Sequence, residues 1–390
     1  MYGKKRAAGM LAAFAVGVFV SVLAGALVTV RQLPDELTVN GAGSARLATF
    51  LPVSVEYGGE SGGAAEAKLF GVVGVKSIGV HKEAPKKVLL AGTPFGLKLL
   101  SDGVMVVGLS DFRSDGAKVN PARRAGIEEG DVIHTANGKN VYSNAAFAEA
   151  VAHSEGSLSL ELTDRSGKRK KAALTPAYSD ADGCLKTGMW VRDSAAGIGT
   201  LTYIDPENGT FGGLGHGICD ADTHGIVPVH EGGIVEARIT DVRRGVKGKA
   251  GEIRGFLGTD ELGVLTDNTV CGTFGRYTAE IPDGKEYEVA YKQSVRTGKA
   301  KILCTVEPDG EPQLYDITID KIHYSGEPAK NMIITVTDKK LLKLTGGIIQ
   351  GMSGSPVIQK GQFVGAVTHV FVNNPKSGYA IFAENMLGQA

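Results

Sequence analysis

The chain has 390 residues, enough for two or three domains at about 150 residues each. Its 42 Lys and Arg residues balance 42 Asp and Glu residues, which excludes the cationic surface expected of a nucleic-acid-binding protein. Glycine occupies 55 positions, about twice the usual share, and this favours β-structure with tight turns over helical bundles. We therefore predict a mainly β fold.

An uncharged apolar stretch follows the basic N-terminal cluster Lys4-Lys5-Arg6. It covers residues 7–30, which is longer than the roughly 20 residues that span a hydrocarbon core as a helix. The basic flank should stay in the cytoplasm, so the bulk of the chain is exported. We predict a membrane anchor or signal segment in residues 1–36. Cleavage at Ala24-Gly25-Ala26 is the alternative to a retained anchor.

Residues 37–84 are predicted to form an exposed linker region, because the stretch from Gly58 to Ala67 is rich in glycine and alanine. Residues 85–178 then show the element order of a PDZ domain. Phe95-Gly96-Leu97 resembles its carboxylate-binding loop, where free backbone N–H groups receive a peptide or protein C-terminus. Residues 144–153 are predicted to form the helix beside the peptide groove. The alternative is that Phe95 and Leu97 are core residues of a small β-domain.

Residues 179–390 are predicted to form a β-rich domain that begins after Asp180-Ala181-Asp182-Gly183. His216 is the histidine most suited to a general base, because glycines flank it on both sides and allow close approach of another segment. Its neighbours offer a rival interpretation as a metal site, since potential ligands cluster after it: Cys219, Asp220, Asp222, His224 and His230. They lack the paired spacing typical of zinc sites, so we rank metal binding below catalysis.

Ser353 lies in the turn Gly351-Met352-Ser353-Gly354-Ser355-Pro356. A nucleophilic serine needs an exposed Oγ and nearby backbone N–H groups for an oxyanion, and small flanking residues leave room for both. We assign the oxyanion hole to the N–H groups of Gly351 and Ser353. Ser355 lies in the same turn. An ordinary hairpin turn is the competing interpretation.

Asp338 is the candidate carboxylate that orients the histidine, since it closes the β-rich run 332–336 shortly before Ser353. It is equally suited to N-cap a short helix that begins at Lys339 and stops at Gly346-Gly347. The residues alone do not separate these roles. We reject Ser194 as a nucleophile, because the adjacent Asp193 would point to the opposite face of a strand.

These motifs occur in one order: Gly-Leu-Gly-His-Gly-Ile at 213–218, Asp338, the glycine-rich run 346–356 and Val367-Thr368-His369-Val370-Phe371-Val372-Asn373. Together they resemble the SpoIVB peptidase family, sporulation serine peptidases grouped with the chymotrypsin-like clan. The resemblance implies a membrane segment, a PDZ domain and a C-terminal peptidase domain. It places the catalytic histidine, aspartate and serine at His216, Asp338 and Ser353.

The resemblance further implies a place between forespore and mother cell. There the enzyme would cleave a membrane-associated inhibitor of an intramembrane metalloprotease and so activate a late sigma factor. It also implies self-cleavage, for which residues 40–67 are the exposed candidate segment. We expect no metal and no cofactor. The alternative function is a PDZ-bearing scaffold or regulatory binding protein with an inactive peptidase domain.

The four cysteines leave two possibilities open. Cys184, Cys219, Cys271 and Cys304 could pair in an oxidising space. Free thiols are equally compatible with the sequence, because domains of this size need no disulfide for stability.

Overall fold

The computed structural model describes residues 2–58 and 63–388. Helix α1, Tyr2–Gln32, begins the chain. Its segment Ala13–Gln32 is long and apolar enough to cross a membrane, and large side chains such as Phe14 and Phe19 are exposed along it. An apolar surface of this length fits a membrane anchor or a signal sequence.

A small β-sheet follows the helix where the linker was predicted. Its strands are β1 (Glu36–Val39), β2 (Gly43–Leu47), β3 (Val53–Tyr57), β4 (Gly63–Leu69) and β5 (Val73–Lys82), in the order β1-β5-β4-β3-β2. The prediction of an exposed linker at 37–84 is wrong, because alternate residues such as Leu37, Val55 and Ile78 are fully buried in a shared core. Residues 59–62 of the predicted flexible stretch lie outside the described part of the chain, and residues 63–67 belong to β4.

The middle of the chain contains two very long strands separated by a compact insertion. The elements are β6 (Lys87–Leu90), β7 (Pro94–Leu109), β8 (Phe112–Ser114), β9 (Ala117–Val119), α2 (Pro121–Arg124), β10 (Val132–Ala136), β11 (Lys139–Asn140), α3 (Asn144–Ala152), β12 (Leu158–Thr163), β13 (Arg169–Leu174), β14 (Ala177–Tyr178), β15 (Leu185–Lys186) and β16 (Met189–Ile204).

The remaining elements complete the β-rich part of the chain. They are β17 (Thr210–Gly213), β18 (Val229–Arg243), β19 (Glu252–Thr269), β20 (Gly272–Tyr277), β21 (Glu286–Glu288), a short 3₁₀ helix (Lys292–Ser294), β22 (Gly298–Cys304), β23 (Gln313–Ile322), β24 (Met332–Val336), α4 (Lys339–Thr345), β25 (Pro356–Gln359), β26 (Gln362–Val370), β27 (Ser377–Phe382) and α5 (Ala383–Leu387).

Two barrels organise the molecule. In the first, the order β7-β18-β19-β20-β17-β16 is closed by pairing of β16 with β7. The second is a closed barrel of order β22-β23-β24-β27-β26-β25. A buried cluster joins them, since Tyr203 and Phe274 of the first barrel pack with Phe363 and Ile381 of the second. The fold is mainly β, as predicted.

The inserted module, residues 103–192, interrupts the first barrel. Its core contains Val104, Ile133, Phe147 and Leu160, and Ser143 N-caps α3 through a hydrogen bond to the N–H of Ala146. The predicted boundaries at 85 and 179 are wrong. β6 and the first half of β7 pair with strands of the barrel, so the predicted C-terminal β-rich domain begins before the inserted module.

Candidate active site

Ser353 lies in a turn between α4 and β25, and glycines are required on both sides of it. Gly351 and Gly354 both have φ of +96°, a left-handed conformation that favours glycine. A Cβ on Gly351 would lie 2.9 Å from the Cβ of Ile253, and one on Gly354 would collide with the carbonyl oxygen of Thr200. The sequence therefore allows this turn to press directly against the first barrel.

Hydrogen bonds from β16 hold the turn in place. The N–H of Thr200 donates to the carbonyl oxygen of Ser353 at 3.0 Å. The hydroxyls of Thr200 and Thr202 donate to the carbonyl oxygens of Gly351 and Gly354, each at 2.7 Å. The nucleophile candidate of the second barrel is thus fixed by backbone and side-chain donors of the first.

The two serines of the turn differ in accessibility. Ser353 is partly exposed, and its Oγ donates to the carbonyl oxygen of Thr368 at 2.7 Å. Ser355 is fully buried, and its Oγ donates to the carbonyl oxygen of Met352 at 2.6 Å. Ser353 alone of these two can meet a substrate without unfolding of the turn.

The backbone donors of the turn are divided between internal bonds and open space. The N–H groups of Met352, Gly354 and Ser355 donate to the carbonyl oxygens of Ile349, Val367 and Met352, respectively. Among the described residues, the N–H groups of Gly351 and Ser353 donate no hydrogen bond. These two groups are consequently able to bind an oxyanion.

His216 follows β17 in a loop of left-handed backbone at Leu214 and Gly215, with φ of +64° and +69°. Its Nδ1 lies 2.9 Å from the carbonyl oxygen of Gly217. A carbonyl can only accept, so this contact assigns the proton to Nδ1 and leaves Nε2 as a base. Burial lowers the pKa of His216 below its ordinary 6.5. The imidazole is therefore neutral at neutral pH, as a general base must be.

His369, on β26, faces His216 with ring centroids 4.8 Å apart. Desolvation, followed by the proximity of His216 and Lys330, lowers the pKa of His369 to about 4. His369 belongs to the motif at 367–373 that carried the family resemblance, but the motif alone assigned no role to this histidine. The available signal was a histidine at the end of a β-branched run downstream of the candidate serine.

One cleft between the barrels gathers these groups in a cavity of about 490 Å³. Its walls are mostly apolar and come from β16, the His216 loop, the Ser353 turn and β26. The lining residues include Ala196, Ile198, His216, Ile349, Ser353 and His369. The structure thus brings His216 and Ser353 together on one surface.

Asp338 lies away from the lining of this cleft. Its Oδ1 accepts the N–H of Leu341 at 3.0 Å as the N-cap of α4, and its Oδ2 accepts the N–H of Asp316 at 3.3 Å. Together with Lys301, these backbone donors keep the pKa of Asp338 below its ordinary value despite desolvation. The predicted helix cap is present, whereas the orienting role toward His216 stays a prediction.

The rival metal ligands are directed elsewhere. Asp220 and Asp222 both form ion pairs with Arg192, and His230 stacks on Tyr142 with ring centroids 3.7 Å apart. Within residues 2–58 and 63–388, no group of three or more His, Cys, Asp or Glu side chains is arranged to hold a metal. The four cysteines are free thiols in the structure.

The proposed carboxylate-binding loop does not fit the structure. Phe95, Gly96 and Leu97 lie inside β7, which pairs with β16 on one side and β18 on the other. Phe95 and Leu97 are buried in the first barrel. Their backbone groups are committed to the barrel and cannot receive a peptide terminus, so the prediction is wrong and the alternative of core residues is correct.

The comparison with protein families agrees with the motifs that line the cleft. The family described as SpoIVB peptidase S55 matches residues 183–387, a range that includes His216, Asp338 and Ser353. A comparison with curated proteins found no match.

Proposed function

Because the chain belongs to the SpoIVB peptidase S55 family, we propose that it is an exported, membrane-tethered serine endopeptidase of sporulation signalling. Its substrate would be a membrane-associated regulatory protein whose cleavage activates late sigma-factor processing. The observation that supports this function best is the cleft in which Ser353 and His216 face the same cavity beside two free backbone donors.

The chemistry follows from these groups. Ser353 Oγ attacks the carbonyl carbon of the scissile bond while Nε2 of His216 takes its proton. The N–H groups of Gly351 and Ser353 bind the oxyanion that forms. His216 then protonates the leaving amine. In the second half of the reaction, Nε2 of His216 takes a proton from a water molecule, whose oxygen attacks the acyl carbon and releases it from Ser353. For the initial attack, the Ser353 hydroxyl must turn from the carbonyl oxygen of Thr368 to Nε2 of His216.

Asp338 completes the proposed triad by family resemblance, since its carboxylate would orient His216 and stabilise its cation. A second contribution is local. Asp338 caps α4, and α4 leads through Gly346-Gly347 into Ile348 and Ile349, which line the cleft. Asp338 would therefore support the Ser353 turn as well as the charge of His216.

Location and self-cleavage complete the proposal. The apolar helix α1 would hold the enzyme at the membrane that faces the space between forespore and mother cell. Self-cleavage needs a segment free of sheet pairing. The connections at 40–42 and 48–52 meet this need better than β2, β3 and β4, and Phe50 is exposed in the second of them.

The decisive experiment uses the full chain in detergent micelles. A fluorophosphonate probe should label the parent on Ser353, and mass spectrometry of a co-expressed membrane protein should find new termini that are absent with Ser353→Ala. If Ser353 takes up no label and no new termini appear, the result favours a scaffold with an inactive peptidase domain.

A further inference from the structure

One edge of β16 is open beside the cleft. Residues 194–200 pair on one side with residues 94–100 of β7. On the other side, pairing with β17 starts only at Leu201. For the part of the chain that the structure describes, no strand pairs with this second side of residues 194–199. Ala196 and Gly197 are accordingly exposed.

The backbone groups on this open side can be identified. Successive residues of a strand direct their N–H and C=O to opposite sides. Thr200 donates its N–H to the carbonyl oxygen of Ser353, whereas Leu201 donates to Thr93 on the β7 side. By the same alternation, Ile198 and Ala196 direct their N–H and C=O toward the side of Ser353.

The open edge lacks the features that normally protect an edge strand. Exposed edges are usually blunted by charged side chains, proline or a covering segment. The run Ser194-Ala195-Ala196-Gly197-Ile198-Gly199 contains no charge and no proline. A Cβ built on Gly197 would meet no atom within 4 Å. An incoming chain therefore has both free hydrogen-bonding groups and room.

We propose that the free edge of β16, residues 194–199, binds the substrate as an added β-strand that leads into Ser353. This inference rests on the proposed function and names the substrate class. The substrate is an extended segment of about six residues, roughly 20 Å long at 3.3 Å per residue. Its backbone pairs with Ala196 and Ile198 on one side of the scissile bond.

The walls of the cleft add a preference for particular side chains. Leu97, Ile198, Leu214, Ile218 and Ile349 make the lining around the edge apolar. Alternate side chains of an added strand point to the same face. Substrates should thus carry apolar residues at alternate positions, and they should lack proline where an N–H must reach β16.

The inserted module borders the far end of this edge. Asp193, the residue before the open run, accepts the N–H of Asn144 at the start of α3 through its Oδ2. A substrate strand that extends beyond Ser194 therefore meets α3. This position limits the length of the paired segment from the side opposite Ser353.

The test uses the full parent chain in micelles and a decapeptide selected from a peptide library as the one cleaved fastest. Single N-methyl groups are then placed along its backbone. On one side of the scissile bond, alternate N-methyl groups should lower kcat/KM about tenfold each, because each removes one strand hydrogen bond. The intervening positions serve as matched controls. Equal rates for every N-methylated peptide would overturn the inference.

Ala196→Pro supplies the protein side of the test, because it removes an N–H of the open edge and leaves the β7 ladder intact. This variant should lower kcat/KM for the unmethylated peptide about tenfold. For the peptide whose N-methyl group faces Ala196, the same variant should lower kcat/KM only slightly further. Glu311→Pro, in an exposed loop of the second barrel, controls for proline itself. Equal loss on both peptides would contradict strand pairing.

Fluorophosphonate labelling separates this inference from the proposed function. If Ser353 of the parent is labelled but N-methylation does not lower kcat/KM at alternate positions, the peptidase assignment stands and strand addition is overturned. If the parent takes up no label and cleaves no library peptide, both proposals fail.

Discussion

His216 and His369 face each other across the cleft, with ring centroids 4.8 Å apart and ring planes inclined by 36°. They come from different barrels, since His216 follows β17 and His369 lies on β26. Desolvation and the proximity of His216 lower the pKa of His369 from 6.5 to about 4. Two neutral rings can pack in this way, whereas two imidazolium cations would repel each other.

This relationship predicts a loss of stability in mild acid. Below pH 6.5 the unfolded chain binds a proton at His369, while the folded chain does so only near pH 4. Stability should fall as pH drops through this window, because the unfolded state binds more protons there. His369→Asn should weaken this pH dependence, measured as the change in Tm between pH 7.5 and pH 4.5 in micelles. Parallel Tm curves for variant and parent would show that His369 does not carry it.

Ser353→Ala should abolish cleavage while the fold is retained, because Ser353 Oγ makes a single hydrogen bond at the surface of the cleft. Ser355→Ala should remain an active enzyme. It loses a buried hydrogen bond to Met352, so we expect a lower free energy of unfolding by about 1 kcal/mol. Peptide cleavage and urea unfolding measure the two effects. Loss of activity with Ser355→Ala in a folded protein would reverse the assignment of the nucleophile.

Asp338 offers a way to separate charge from capping. Asparagine is nearly as good an N-cap as aspartate, so Asp338→Asn should keep α4. Its Tm should fall only slightly, because the amide nitrogen cannot accept the long hydrogen bond from the N–H of Asp316. If the carboxylate orients His216 as we propose, turnover should fall on the order of 10⁴-fold. The matched variant Asp338→Ala should additionally lose about 1 kcal/mol of stability. Normal turnover with Asp338→Asn would confine Asp338 to the helix cap.

Local signals explain what the sequence predicted well. The helix 339–345 with its cap at Asp338 and its left-handed end at Gly346, and the strand 332–336, lie where their residues indicate. α3 likewise begins directly after Ser143. Each depends on contacts between residues close in the chain, such as capping bonds and the alternation of buried side chains.

Non-local pairing explains what the sequence did not reveal. The string Phe95-Gly96-Leu97 has the composition of a carboxylate-binding loop, but its environment is set by Ile198 and Val235, which are distant in sequence. Residues 37–84 seemed flexible because glycine and alanine are small, yet the same small residues fit closely paired strands. No role could be predicted for His369 from the sequence, because the ring that it contacts, His216, belongs to the other barrel.

Gly96→Val tests the corrected position of β7. A Cβ at Gly96 would lie 2.5 Å from Leu257 Cδ2 and 2.8 Å from Val235 Cγ2, so valine should overpack the first barrel. We expect a loss of 1–3 kcal/mol in the free energy of unfolding. Cleavage of a short soluble peptide and of a membrane-anchored protein should decline by the same factor, because both depend on the same folded cleft. The control Gly41→Val, where a Cβ meets no atom within 4 Å, should change stability by less than about 0.5 kcal/mol. A Gly96→Val protein of normal stability that fails to cleave only the membrane-anchored substrate would instead support residues 95–97 as a carboxylate-binding loop.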